Sequence, residues 1–309
     1  MRWIFVGSAG IRAGWSALIF VLLVGFQISI VAMIYRSITG VSDMRSLMHG
    51  DIPPFANTAT EMLFIVTMLV ATWVMSKIEG RGVFSYGFTG AQRLRRFLFG
   101  AVAGVLAIVA LAVILVLTHN LVIDGRALHG PMIFWYALIW GFNFFLVGIA
   151  EEGTFRGYLL YTLTRGTNFF WAAIILAVMF GLAHSGNPGE SPYGLLEVMV
   201  IALVFSYGIW LTGSLWWAIG LHGAWDWMQS YTLGVADSGL RVQGHLLASH
   251  PAGAVLFSGG TTGPEGSIYS LPIMLLIALG LYLAWGKRPA GIQPVAPSPV
   301  LQSSSYSRV

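Results

Sequence analysis

Three apolar stretches of the chain carry ionisable side chains, which are costly in a hydrocarbon layer and are therefore candidates for function. These side chains are Glu151, Glu152, Arg156, His184, His222 and Asp226. A buried carboxylate beside an imidazole can deprotonate a water molecule, which is general-base chemistry. A second histidine with a hydrogen-bonding carboxyl partner can stabilise a developing oxyanion. The residue types therefore favour a hydrolytic site inside a membrane.

Helical spacing assigns these side chains to helix faces. Glu152 and Arg156 are four residues apart, so they share a face and can pair, whereas Glu151 points about 100° away from Glu152. We therefore expect Arg156 to keep Glu152 ionised and Glu151 to be free to face a cavity. The same spacing recurs in two further pairs, His222 with Asp226 and Phe180 with His184.

The depths of these residues in the membrane follow from a tight turn near residues 165–168. Glu151 lies about 16 residues before the turn and His184 about 17 after it, which places both about 24–26 Å from the turn at 1.5 Å per residue. In an antiparallel hairpin they should be level, carboxylate facing imidazole. His222 and Asp226 should lie about 12–18 Å from the same side, with Asp226 the nearer in depth to the Glu151–His184 pair.

Each of these features also has a purely structural interpretation. An acid–arginine pair in a membrane helix often acts as a clamp, and a lone histidine often bridges two helices. Phe180 is expected to serve packing first. Glu61 and Glu197 lie near the ends of their spans, where a carboxylate can reach water, and are not assigned to the site. Matched polar groups at nearby depths in three spans favour one common site over these separate interpretations.

Zinc is an alternative source of the same chemistry, because histidines and carboxylates suit this metal. The adjacent glutamates do not have the HExxH spacing, and the ligands would have to converge from three helices. We therefore expect no metal and no other cofactor.

The composition of the chain indicates a polytopic membrane protein. Of its 309 residues, 57% are hydrophobic and 9% are charged, against about 25% charged in soluble domains. The net charge of +4 is spread thinly over short segments, which is typical of membrane topology and not of nucleic-acid binding. The absence of cysteine excludes disulfides, thiolate metal sites and a cysteine nucleophile. No Walker or Rossmann fingerprint is present, so nothing supports a nucleotide partner.

The apolar runs predict an all-α protein with about eight transmembrane helices and both termini in the cytoplasm. With this topology, eleven of the 16 Lys and Arg residues fall in inner segments and four in outer loops, as the positive-inside rule requires. The predicted spans are 14–35, 59–76, 97–118, 132–164, 168–186, 194–212, 214–231 and 269–285.

Four segments are predicted along the chain. Residues 1–131 form N-terminal transmembrane helices with a basic cytoplasmic loop at 77–96, and residues 132–231 form the catalytic core. Residues 232–285 comprise an outer loop, whose composition reads as turns, and the last helix. Residues 286–309 are predicted to be a disordered tail.

Three motifs in the core resemble those of a known family. Glu151-Glu152-Gly153-Thr154-Phe155-Arg156-Gly157 is similar to the EExxxR motif of the CPBP intramembrane proteases. This family includes the Rce1-type CAAX prenyl proteases and bacterial proteins once described as abortive-infection or bacteriocin-immunity factors. Residues 180–184 resemble its FxxxH motif and residues 222–226 its HxxxN/D motif. The resemblance covers about residues 132–231.

The resemblance implies a glutamic-type intramembrane endopeptidase that needs no metal. By it, Glu151 and His184 would activate the water, and His222 and Asp226 would help to form the oxyanion site. The supporting residues would be Glu152, Arg156 and Phe180. The last motif often ends in Asn, whose amide can donate a hydrogen bond, whereas an ionised Asp cannot. Asp226 is therefore expected either to orient His222 or to be protonated.

The predicted function is hydrolysis of peptide bonds in membrane-associated or lipidated substrates by a multi-pass protein of a bacterial plasma membrane. The expected partners are a peptide or membrane-protein substrate and the lipid bilayer, without nucleic acid or nucleotide. One alternative is a non-catalytic scaffold, immunity or regulatory protein on the same fold, although a scaffold has no need of three buried ionisable groups. A transporter or proton relay is a second alternative. Clustering of the polar groups in half of the chain disfavours it, as does the lack of a visible inverted repeat.

Overall fold

A computed structural model describes residues 2–7, 10–40, 50–287 and 289–292 of the chain, and most of these residues are helical. Most of the predicted tail, from residue 293 onward, lies outside the described residues. The helices are α1 Arg2–Phe5, α2 Ala13–Thr39, α3 Pro54–Glu79, α4 Arg93–Leu117, α5 Met132–Glu152, α6 Leu160–Gly166, α7 Phe169–His184, α8 Pro192–Thr212, α9 Leu215–Asp226, α10 Val255–Ser258 and α11 Ser270–Trp285.

Among the described residues, five helices are long and apolar enough to cross a membrane. They are Ala13–Thr39, Pro54–Glu79, Arg93–Leu117, Met132–Gly166 and Pro192–Thr212. α7 and α11 are apolar but shorter. Each of the eight predicted spans overlaps one of these helices or α9, so an integral multi-pass protein is confirmed. The count of eight crossings and the cytoplasmic location of both termini stay predictions.

Local sequence signals set the helix boundaries that position the site. The Asn168 side chain accepts a hydrogen bond from the Trp171 backbone N–H at 3.0 Å and begins α7 immediately after the turn. Ser191 and Ser214 cap α8 and α9 in the same way, as expected of N-cap residues. Gly213 ends α8 in the left-handed conformation, which glycine adopts without strain.

Helix α9 lies at the centre of the bundle because small residues let its neighbours approach closely. A Cβ at Gly220 would lie only 2.1 Å from the carbonyl oxygen of Phe97 in α4. A Cβ at Gly223 would lie 2.8 Å from the carbonyl oxygen of Phe144 in α5. Small residues at such crossings are typical of membrane bundles. A larger residue at Gly220 would push α9 away from α4, and one at Gly223 would push α9, and with it His222, away from α5.

Two π-helical segments interrupt the bundle next to the predicted site. One comprises Gly153–Leu159 and directly follows Glu152, and the other comprises Trp227–Leu233 and directly follows Asp226. Such π-turns are rare and often occur at functional sites. The first of them means that the predicted span at 132–164 is three joined pieces, α5, the π-helical segment and α6.

The protein is mostly helical, as expected, and among the described residues three two-stranded sheets lie outside the bundle. β1 Val6–Gly7 pairs with β2 Gly10–Ile11, and β3 Asp51–Ile52 runs parallel to β5 Arg241–Val242. β4 Leu121–Arg126 pairs antiparallel with β6 Leu247–Pro251. The outer segment at 232–268 was expected to be turns. It also contains β5, β6, α10 and a 3₁₀ turn at Pro264–Gly266, because chain segments without a helix still have to satisfy their backbone polar groups.

Candidate active site

The predicted site residues come from four adjoining elements and converge. Glu151 and Glu152 end α5, and Arg156 lies in the π-helical segment that follows. α7 carries Phe180 and His184, and α9 carries His222 and Asp226. All seven side chains belong to one connected set of ion pairs, hydrogen bonds and ring contacts.

Glu151 faces two imidazoles. Its Oε2 atom lies 3.9 Å from Nε2 of His184 and 3.7 Å from Nε2 of His222. These separations exceed a direct hydrogen bond, and Oε2 has no hydrogen-bond partner within the protein. The Glu151 side chain is 31% exposed, against 14% for His184 and 11% for His222. The predicted juxtaposition of Glu151 and His184 is therefore present, and its carboxylate is the group best placed to meet a substrate.

The Nδ1 atoms of His184 and His222 each have a hydrogen-bond acceptor within the protein. Nδ1 of His184 donates to the carbonyl oxygen of Phe180 at 2.8 Å, because a carbonyl can only accept. Nδ1 of His222 lies 3.0 Å from Oε1 of Glu152. With hydrogen on Nδ1, a neutral imidazole presents a lone pair at Nε2. Three acceptor atoms therefore converge: Oε2 of Glu151 and the Nε2 atoms of His184 and His222.

The expected order of depths along α9 is wrong. His222, and not Asp226, lies beside the Glu151–His184 pair, while Oδ2 of Asp226 lies 3.6 Å from Nε2 of His222. The depth estimate assumed that α9 begins level with the turn at 165–168. Ser214 and Leu215 are fully buried at the start of α9, and the Leu215 backbone N–H donates to the carbonyl oxygen of Gly87. α9 therefore begins deeper in the bundle than that turn, which brings His222 level with Glu151.

Glu152 and Arg156 form the predicted pair, with Arg156 Nη1 3.1 Å from Glu152 Oε1 and both side chains fully buried. The guanidinium carbon also lies 4.1 Å from the ring centre of Phe180 and 5.3 Å from that of Phe205. Phe180 therefore does more than pack, since it provides an aromatic face for a buried cation. Its ring also lies 4.5 Å from that of His184.

Glu61 is the residue that sequence reasoning missed. It lies on α3, is only partly exposed, and is close enough to Glu151 and His222 to interact with them electrostatically. The signal that points to it is a polar stripe on one face of an apolar helix, comprising Asn57, Thr58 and Glu61. Glu197 was excluded on the same argument. It is buried on α8 and accepts a hydrogen bond from the Ser270 hydroxyl at 2.7 Å, away from the site.

A second pair of acids lies behind Asp226, in the outer loop. Burial raises the pKa of Asp237 well above its usual range. Burial and then the charge of Asp237 raise the pKa of Glu265 in the same way. The Ser230 hydroxyl donates to Asp237 at 3.2 Å. These two carboxyls form a buried acidic layer between α9 and the outer surface.

Within the described part of the chain, no group of three or more His, Cys, Asp or Glu side chains is arranged to hold a metal ion. The site contains the two histidines and three carboxylates that zinc chemistry would use. Glu152 Oε1 is not available as a zinc ligand, because it already binds Arg156 and His222.

Comparison with known proteins agrees with the motif resemblance. No curated protein matches the chain. Residues 133–228 match the family model described as type II CAAX prenyl endopeptidase Rce1-like, and all seven predicted site residues fall inside this segment. The match implies a protease of the CAAX type. Residues 133–228 therefore form a domain of the Rce1-like family.

Proposed function

We propose that the protein is an intramembrane endopeptidase in which Glu151 and His184 activate the water that attacks a peptide bond. The observation that carries this proposal is the convergence of Glu151 Oε2 with Nε2 of His184 and Nε2 of His222 at 3.9 and 3.7 Å. Acceptor atoms at such separations suit a bridging water molecule, which brings the hydrogens that the acceptors lack.

In the proposed reaction, one proton of this water passes to Glu151 as the water oxygen attacks the scissile carbonyl carbon. The hydrogen bond from His184 Nδ1 to the Phe180 carbonyl fixes the ring, so that Nε2 stays directed at the water. When the carbon–nitrogen bond breaks, the protonated Glu151 returns its proton to the leaving amine. The carboxylate and the imidazole thus act as one acid–base unit.

Asp226 is proposed to serve the oxyanion, and His222 joins it in the imidazolium form, in which Nε2 also carries a hydrogen. Glu152 already holds the Nδ1 side of His222, so Asp226 is not needed to orient this ring. Asp226 is 6% exposed and lies among acids, with Glu265 and Asp237 behind it. We therefore assign it the protonated form, which can donate a hydrogen bond to an oxyanion as an amide does.

The substrate class follows from the family and the setting. The Rce1-like model is named for cleavage of CAAX prenyl proteins, and the five long apolar helices support a membrane setting for the site. We propose peptides of membrane-associated or lipidated proteins as substrates, and a bacterial plasma membrane as the location. A non-catalytic scaffold is disfavoured because it has no need to keep three ionisable side chains together inside the membrane.

Comparison of protein termini in whole membranes tests this proposal. Membranes carrying equal amounts of wild type, Glu151→Gln or Glu197→Gln are compared by mass spectrometry of new N- and C-termini. We expect the same new termini with wild type and with Glu197→Gln, a matched change of a buried glutamate outside the site, and none with Glu151→Gln. Identical termini in all three membranes would remove the protease proposal and favour the scaffold.

A further inference from the structure

Helix α3 turns a polar face toward the part of α5 that precedes the site. The Asn57 amide and the Thr58 hydroxyl donate to Oδ1 of Asn143 at 3.3 and 2.9 Å. Further along, Met68 Cε would lie 2.8 Å from a Cβ at Gly153. Both contacts join residues 85–86 apart in sequence, so α3 and α5 run side by side in the same direction.

Glu61 lies on this same face and between these two contacts. At about 100° per residue it is about 40° from Asn57 and about 20° from Met68 around the helix. The two contacts pair each residue of α3 with the residue 85–86 positions later. This offset places Glu61 level with residues 146–147 of α5. Its carboxyl therefore projects into the layer between α3 and α5, about one helical turn on the outer side of Glu151.

Glu61 and Glu151 are thus separated by about one turn, or about 5.4 Å, along the parallel axes. At this separation the side chains interact electrostatically, and the partners of Glu61 are Glu151 and His222. The other charged groups around this pair are Glu152, Arg156, His184 and Asp226.

Two facing carboxyls in a medium of low dielectric constant do not readily ionise together, and one proton between them removes the repulsion. Glu151 has its other polar neighbours on the imidazole side, where Oε2 faces two acceptor nitrogens. A donor on the opposite side of the Glu151 carboxyl would fix its orientation.

We propose that Glu61 is a positioning residue of the active centre, which keeps the shared proton and donates it in a hydrogen bond to the ionised Glu151. This inference rests on the proposed function. During the water attack the proton stays on Glu61, and Glu151 takes its proton from the water, so the proton count of the reaction is unchanged. The contact does two things: it orients the Glu151 carboxylate and keeps it ionised while its neighbour is neutral.

The pair then has three protonation states, and only the middle one is active. With two protons, Glu151 is neutral and cannot act as a base. With no proton on the pair, the two carboxylates repel each other and the hydrogen bond between them is lost. The Glu61–Glu151 pair therefore contributes an acid limb and an alkaline limb to the pH dependence of turnover.

The test compares Glu61→Gln, Glu61→Leu and the control Glu197→Gln as purified, monodisperse protein, with kcat and KM measured across pH. Glutamine keeps a donor but cannot lose a proton. We expect it to lower kcat about threefold and to move the alkaline limb up by about one pH unit or more. Leucine removes the donor and should lower kcat about thirtyfold with KM unchanged. Glu197→Gln should reproduce the wild-type profile.

A second readout does not depend on turnover. In infrared difference spectra between wild type and variant at neutral pH, Glu61→Gln should remove one protonated-carboxyl band and leave those of Asp226, Asp237 and Glu265. Glu151→Gln should shift this band, and Glu197→Gln should leave it in place. Loss of turnover in Glu151→Gln with wild-type profiles and spectra in both Glu61 variants would overturn this inference and leave the proposed function standing. Unaltered turnover in Glu151→Gln would instead count against the proposed function.

Discussion

Oε1 of Glu152 lies 3.0 Å from Nδ1 of His222 and 3.1 Å from Nη1 of Arg156, so one carboxylate oxygen serves both a histidine and an arginine. The adjacent residue Glu151 approaches the other nitrogen of the same imidazole. The two glutamates therefore lie on opposite sides of the His222 ring, and they point in different directions from α5. This arrangement separates their roles: Glu152 fixes the ring, and Glu151 remains available to a reactant.

Replacement of Glu152 by glutamine should destabilise the protein because it leaves the fully buried Arg156 without a counter-charge. Breaking a buried ion pair by removing one partner costs about 3–5 kcal/mol. We expect a clear fall in the unfolding temperature in detergent, and loss of activity. The double variant Glu152→Gln/Arg156→Met, which removes both charges, should recover most of the stability but not the activity. Equal stability of the single variant and wild type would show that the pair is not a clamp.

Phe180 should contribute to stability beyond its apolar area, since its ring lies over the Arg156 guanidinium at 4.1 Å. A desolvated cation–π contact is worth about 2 kcal/mol. Phe180→Leu should therefore lower the unfolding temperature and also reduce kcat, because the ring contacts His184. Phe170→Leu is the matched control, as Phe170 is 62% exposed on the same helix. Similar effects of both substitutions on stability and rate would argue against a special role for Phe180.

Asp226 should tolerate asparagine and not alanine if it acts as a hydrogen-bond donor. The asparagine amide supplies a donor at the same position, so Asp226→Asn should keep kcat within about tenfold of wild type. Alanine removes the donor, and the loss of one oxyanion donor costs about 10²–10³ in kcat. The measurement is kcat for both variants on one substrate. A loss in Asp226→Asn as large as that in Asp226→Ala would mean that the negative charge is required.

The acids of the outer loop predict a pH dependence of stability. The pKa values of Asp237 and Glu265 are raised, so the folded protein binds more protons than the unfolded chain above the ordinary carboxyl pKa of about 4. Their contribution to stability is fully present below that pH and is lost as the pH rises through the raised pKa values.

Asp237→Asn should consequently gain stability relative to wild type as the pH rises from about 5 to about 8. The amide has a partner available, since Oε1 of Gln229 is buried without a hydrogen bond. Asp51→Asn, at a half-exposed ion pair with Arg241, is the control and should show no such trend. The readout is the difference in unfolding temperature between variant and wild type, and a difference that stays constant with pH would contradict the raised pKa values.

Much of the site could be predicted because its parts are local or are linked by short connections. Glu152 and Arg156 follow from i,i+4 spacing. Glu151 and His184 follow from a hairpin whose turn is only a few residues long. The relation of His222 to Glu151 could not be predicted, because the depth at which α9 begins depends on the packing of Leu215 against the loop at Gly87, which no local pattern specifies.

Features that depend on long-range contacts could not be predicted from the sequence for a different reason. Glu61 reaches the site only through the packing of α3 on α5, and the pairing of β4 with β6 joins segments more than a hundred residues apart. Asp237 and Glu265 become buried through the folding of the outer loop, whose glycines and serines predict turns and not strands. Each of these depends on tertiary contacts that no local pattern specifies.

The measurement that tests the central claim most directly is peptide hydrolysis by the purified protein in the presence of a metal chelator. Wild type, Glu151→Gln and Glu197→Gln are compared on a substrate identified from the new termini or on a prenylated CAAX peptide. Activation of water by Glu151 predicts that wild type and Glu197→Gln cleave at similar rates with the chelator present. It also predicts a loss of at least about 10² in Glu151→Gln, as expected for removal of a general base. Hydrolysis by Glu151→Gln at the wild-type rate, or wild-type hydrolysis that stops with the chelator and returns with zinc, would contradict the account.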